Sequence, residues 1–152
     1  MNTGPTTIFE AFRRLPHPAP LLAACLLAAC QNAPAPAPPS ARVFAADLSG
    51  GAKKCDAPKD IPLAAGKEAE VKVTVGNDGG WCAIAVGQGG KPFAAGLLTT
   101  TPAHGTVFIH TVGDVTRIDY TPEARYAGPD SFAVRLVPGD QAIRASVTVN
   151  PA

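Results

Sequence analysis

Four cysteines, three histidines and twelve carboxylates are the side chains of this 152-residue sequence best suited to chemistry, and their spacing decides what they can do. No Cys-x-x-Cys pair occurs, and no histidine lies within several residues of Cys55 or Cys82, which argues against a thiolate metal site or a dithiol redox centre. A blue-copper site needs a cysteine, two histidines and usually an axial methionine, but the sole methionine is Met1. His104 and His110 could join a carboxylate on zinc. The first falls in a turn and the second on a strand, however, and both are expected to be surface histidines. Asp130 could ligate calcium, yet no set of oxygens at fixed spacing surrounds it, so turn capping is its expected role. Asp114 and Asp119 sit across a hairpin and form no calcium loop. Residues 87–91 lack phosphate-loop spacing, with Pro92 where Ser or Thr is required. There is no Gly-x-Ser-x-Gly elbow and no carboxylate pair marked out for acid and base roles. The expectation is no catalytic centre, no metal site and no cofactor.

The elements that carry these residues are short strands. Sixteen prolines and fifteen glycines, with only 16% charged residues, fit a turn-rich compact domain rather than a coiled coil or a charged disordered chain. Thirteen basic against twelve acidic residues give no electrostatic footprint for nucleic acid. Val71, Val73 and Val75 alternate with Lys72 and Thr74, a half-buried strand over residues 68–75. Residues 76–80 turn the chain. A strand over 81–86 puts Cys82, Ile84 and Val86 on one side and Trp81, Ala83 and Ala85 on the other. Further strands are expected at 93–98, 106–111, 115–120, 131–137 and 142–149, with a hairpin turn at Gly113 and Asp114. Pro122 should end the strand at Tyr120, Gly128 and Pro129 should form a turn, and Tyr126 and Phe132 should fill the core. The sum is an all-β antiparallel sandwich of about seven strands over residues 42–152.

The start of the chain has another character. Arg13 and Arg14 precede the uncharged run LLAACLLAA at residues 21–29. As a helix it would cover roughly 14 Å, about half a hydrocarbon core, which suits a signal peptide and not a span. It ends in Leu27-Ala28-Ala29-Cys30, which resembles the lipobox of bacterial lipoproteins; Leu22-Ala23-Ala24-Cys25 also fits but leaves almost no apolar run before it. A twin-arginine export signal fits less well, because Leu15-Pro16-His17 follows the arginines. The resemblance implies that residues 1–29 are removed and that Cys30 is lipidated, anchoring the chain to a membrane. Gln31 stands where Asp commonly retains such proteins in the inner membrane, so the resemblance points to the outer membrane, facing the periplasm or the cell surface. Residues 31–40, QNAPAPAPPS, favour a polyproline II spacer, and 30–41 form the linker. In that oxidising compartment, with Cys30 lipidated, Cys55 and Cys82 remain as an even pair and are expected to form a disulfide.

A second resemblance lies in the domain. Pro102-Ala103-His104-Gly105-Thr106-Val107, Tyr120-Thr121-Pro122, Gly128-Pro129-Asp130-Ser131-Phe132 and Val147-Thr148-Val149 are similar, in that order, to the Ig-like and cadherin-like repeats of bacterial surface proteins. It implies an Ig-like sandwich of a kind used in stalks and adhesins, here as a single copy. In the antibody version of that fold a core Trp packs on the disulfide, but Trp81 is adjacent to Cys82 and faces the other way. Cover by residues 42–63 is expected for Trp81; exposed, it would be a contact for a protein or glycan partner. The function expected is a lipid-anchored cell-envelope protein with a non-catalytic binding, adhesion or structural role. The alternative is a small periplasmic metal-handling protein.

Overall fold

A computed structural model describes residues 43–152. Residues 1–42, and with them the expected signal peptide at 1–29, Cys30 and the expected linker to residue 41, lie outside the described residues.

Eight strands and one helical turn follow in chain order: α1 (Ala45–Leu48), β1 (Cys55–Asp56), β2 (Glu68–Asn77), β3 (Cys82–Val86), β4 (Ala95–Thr100), β5 (Gly105–Val112), β6 (Val115–Pro122), β7 (Gly128–Val137) and β8 (Gln141–Pro151). They form a two-sheet sandwich, one sheet ordered β1-β2-β8-β7-β4 and the other β3-β6-β5. The fold class is all-β. Alternation places the core: Val71, Val73 and Val75 of β2, Ile84 of β3, Ile118 and Tyr120 of β6, Phe132, Val134 and Leu136 of β7, and Ile143, Ala145, Val147 and Val149 of β8 face inward and are buried.

Several local expectations are corrected. Pairing is not antiparallel throughout, because β2 and β8 run parallel from Glu68↔Ala142 to Asn77↔Pro151. A parallel neighbour needs a long crossover, and here the intervening strands β3 to β7 supply it by passing through both sheets. Trp81 precedes β3 and makes an isolated bridge to Gly51. The strand through Tyr120 continues to Pro122, which sits opposite Gly105. Gly128 and Pro129 belong to β7 rather than to a turn, paired with Val149 and Thr148. The hairpin at Gly113 and Asp114 is as expected: Val112 faces Val115, and Gly113 at φ 60° takes the left-handed position that a two-residue connection demands. Phe132 is buried, whereas Tyr126 packs only partly buried at the core margin.

The Cys55–Cys82 disulfide joins β1, at the edge of the larger sheet, to β3, at the edge of the smaller one, with Cα atoms 5.2 Å apart. It spans 27 residues of sequence, for which the loop-entropy relation gives about 3.5 kcal/mol of stabilisation.

Candidate functional site

The densest polar cluster lies on the outer face of the smaller sheet. Strand alternation turns Ile118 and Tyr120 inward and sends Arg117 and Asp119 out through the other face. There they are still buried, at 9% and 5% exposure. Arg117 holds Asp119 with a bidentate fork, Nε to Oδ1 at 2.8 Å and Nη2 to Oδ2 at 2.8 Å. Its Nη1 donates to the Asp47 carbonyl, and its guanidinium lies over the Trp81 ring, 4.1 Å from the ring centre. Across the hairpin, His110 Nε2 stands 3.0 Å from Asp119 Oδ2, and the Phe108 ring lies 4.6 Å from the imidazole.

What buries these charges is the stretch 44–52, which forms a roof over them. Asp47 closes the turn of α1 by accepting the Phe44 N–H at 2.9 Å. Residues 50–52 then clasp the Trp81 backbone: Trp81 N–H donates to the Gly50 carbonyl at 3.1 Å and Ala52 N–H to the Trp81 carbonyl at 2.8 Å. The indole N–H donates to the Ser49 carbonyl at 3.1 Å. Glycine is needed where the roof meets the sheet. A Cβ on Gly80 would stand 2.3 Å from the Ala52 nitrogen, whereas one on Gly51 would make only ordinary contact with the Trp81 ring, at 3.4 Å. Trp81 is therefore half-buried, covered from within residues 42–63 as expected.

A second polar node pins the smaller sheet to β7. The Asp130 carboxylate accepts the N–H groups of Ala103 at 2.9 Å, His104 at 3.0 Å and Ser131 at 2.8 Å, and the Tyr120 hydroxyl at 2.8 Å. Burial on its own would raise the Asp130 pKa, but these bonds outweigh it and leave the carboxyl below its ordinary value. Burial, together with the bond to Asp130, pushes the Tyr120 hydroxyl up. Asp130 thus ties together chain segments 26 and 27 residues apart, a longer reach than capping its own turn. Beside it, His104 stacks on Tyr126 at 4.0 Å.

Chemically, both nodes are self-contained. His110 has a carboxylate partner, as a general base would, but among the described residues no hydroxyl or thiol donates to it. No group of three or more His, Cys, Asp or Glu side chains among the described residues could hold a metal ion. A concavity of about 460 Å³ is lined by Lys59, Asp60, Ile61 and Leu63 against Ala85 and Gly87, and its lining includes no residue of either node. Cys55 and Cys82 are consumed in the disulfide. Both histidines reach solvent as expected, the His104 side chain 44% exposed and that of His110 27%, and each is packed on a partner.

The loop at residues 87–92 is a tight turn, with Gln88 and Lys91 exchanging backbone bonds at 2.8 and 3.2 Å around Gly89 and Gly90. It does not flank Trp81. The two lie at opposite ends of β3, roughly 20 Å apart along an extended strand.

Arg117 carries no signal in the sequence, because a charged residue at every second strand position is what a solvated face looks like. Only the roof makes it a buried ion pair. Comparison with known proteins finds no family model that matches this chain and no curated protein that matches it.

Proposed function

We propose that the chain is a lipid-anchored cell-envelope protein whose Ig-like domain works by contact rather than by catalysis. The observation that carries this reading is the lipobox-like Leu27-Ala28-Ala29-Cys30, followed by a Pro/Ala spacer and then by a disulfide-linked β-sandwich. An oxidising compartment, a tether and a compact β domain belong together in a protein displayed at a membrane surface. The self-contained polar nodes support the same reading, since Arg117–Asp119 and Asp130–Tyr120 spend their hydrogen bonds on holding segments of the domain to one another. Trp81 serves here as the anchor of the roof. The disulfide withdraws both thiolates from a metal-handling role.

Metabolic labelling with a fatty-acid probe in a bacterial host tests the anchor. Wild-type protein takes the label, and Cys30→Ala abolishes it and leaves an unprocessed precursor. Label that persists in Cys30→Ala, or moves to Cys25, refutes the assignment.

A further inference from the structure

The two side edges of the sandwich are treated very differently. At one, β1 is two residues long, bound to β3 by the disulfide and flanked by Lys53 and Lys54. Those are the devices that keep a sheet edge from pairing with another chain. At the other edge lie β4 and β5, of six and eight residues, which together contain no Asp, Glu, Lys, Arg or Pro. Leu97, Leu98 and Phe108, half of the six exposed large hydrophobic residues of the described domain, sit on these two strands at 53%, 37% and 63% exposure.

Among the described residues the backbone of β5 has no partner on its outer side. Val112 and Val115 close a two-residue turn, so hydrogen-bonded pairs alternate from there: Val112, His110, Phe108 and Thr106 spend their N–H and C=O groups on β6. Gly105, Val107, Ile109 and Thr111 point theirs away from β6. Pro122, which has no N–H, stands opposite Gly105, as that alternation requires. Among the described residues no hydrogen bond reaches these outward groups.

We propose that β5 is the seam of a homodimer, in which β5 of a second copy pairs antiparallel with it about a two-fold axis normal to the sheet. The occupant is a second copy because the strand is complementary to itself. With Phe108 opposite Phe108 of the copy, Val107 meets Ile109 and Thr106 meets His110, branched against branched and polar against polar. No charge on either strand opposes a like charge. The operation sets Phe108 against Phe108 of the copy and joins the smaller sheets into a continuous sheet of six strands, while Leu97, opposite Arg135 on the outer face of the larger sheet, lies outside the seam. The proposal rests on this edge and stands independently of the lipid anchor.

The full chain carrying a photo-crosslinking benzoylphenylalanine in place of Phe108 tests it, expressed in a bacterial host, irradiated and resolved on a denaturing gel. The expected product is a band at twice the chain mass containing only this sequence by mass spectrometry, with none when the probe replaces Glu68. No crosslink at 108, or a crosslink to a different protein, overturns the homodimer. Sedimentation of the detergent-solubilised full chain supplies the second readout. Thr111→Pro removes one outward N–H without touching a β6 bond, and Phe108→Lys places charge at the seam; each is expected to raise the dimer dissociation constant about tenfold or more while the melting temperature holds. A wild-type monomer, or a dimer indifferent to both changes, refutes the seam.

Discussion

Trp81→Ala should unfasten the roof over the Arg117–Asp119 pair. Truncation removes a guanidinium stacked over the ring, worth about 0.5–1 kcal/mol, and the indole bond to the Ser49 carbonyl, worth about 1 kcal/mol. It also loses ring burial against Gly50 and Gly51, which for a half-buried ring is a fraction of the roughly 3–5 kcal/mol of a core Trp truncation. The expected total is about 2–3 kcal/mol. For a domain of roughly 100 residues that lowers the melting temperature by about 8–15 °C. Trp81→Phe should recover part of the loss, since a ring remains under Arg117 but the indole donor does not. Because Trp81 is the single tryptophan, its fluorescence reports the same contact without truncating it: Arg117→Ala should shift the emission to the red as the roof loosens. A Trp81→Ala melting temperature within about 2 °C of wild type, with unchanged emission in Arg117→Ala, would refute the roof.

Gly80→Ala should cost about 1–3 kcal/mol, because the added Cβ meets backbone atoms of Gly51 and Ala52 at 2.6 Å and below; a neutral thermal melt contradicts that contact. At Asp130 the folded-state pKa lies below the unfolded one, so its contribution is present above the ordinary carboxylate range and is lost as pH falls through the folded value. The melting-temperature gap between wild type and Asp130→Asn should therefore hold steady from about pH 5 to 8 and shrink below about pH 4. A gap undiminished at about pH 2 would show that the carboxylate charge is not what holds Ala103, His104 and Tyr120.

The strands were legible because their signals are local. Val71, Val73 and Val75 reveal a half-buried strand by alternation alone, and Gly113 marks its own turn. Legibility ended where partners are distant in sequence. Asp130 looks like a turn cap to anyone reading its neighbours, and only the fold brings Ala103 and His104 to it. The parallel β2–β8 pair leaves no trace in either strand, since both show the same period-two pattern that antiparallel neighbours would give. Arg117 and Asp119 pass for a solvated face until residues 44–52 are laid over them. Pro122 and Pro129 were expected to break strands, but Pro122 is the last residue of β6 and Pro129 the second of β7, close to strand ends where a residue without an N–H is tolerated.

That a disulfide-locked domain is carried on a lipidated Cys30 is tested most directly by the intact mass of the native protein, extracted from bacterial membranes with detergent and alkylated without reductant. The expected species begins at Cys30, carries a lipid adduct there and takes up no alkylating reagent at Cys55 or Cys82. A chain that begins elsewhere without lipid, or one alkylated at both of those cysteines, would contradict it.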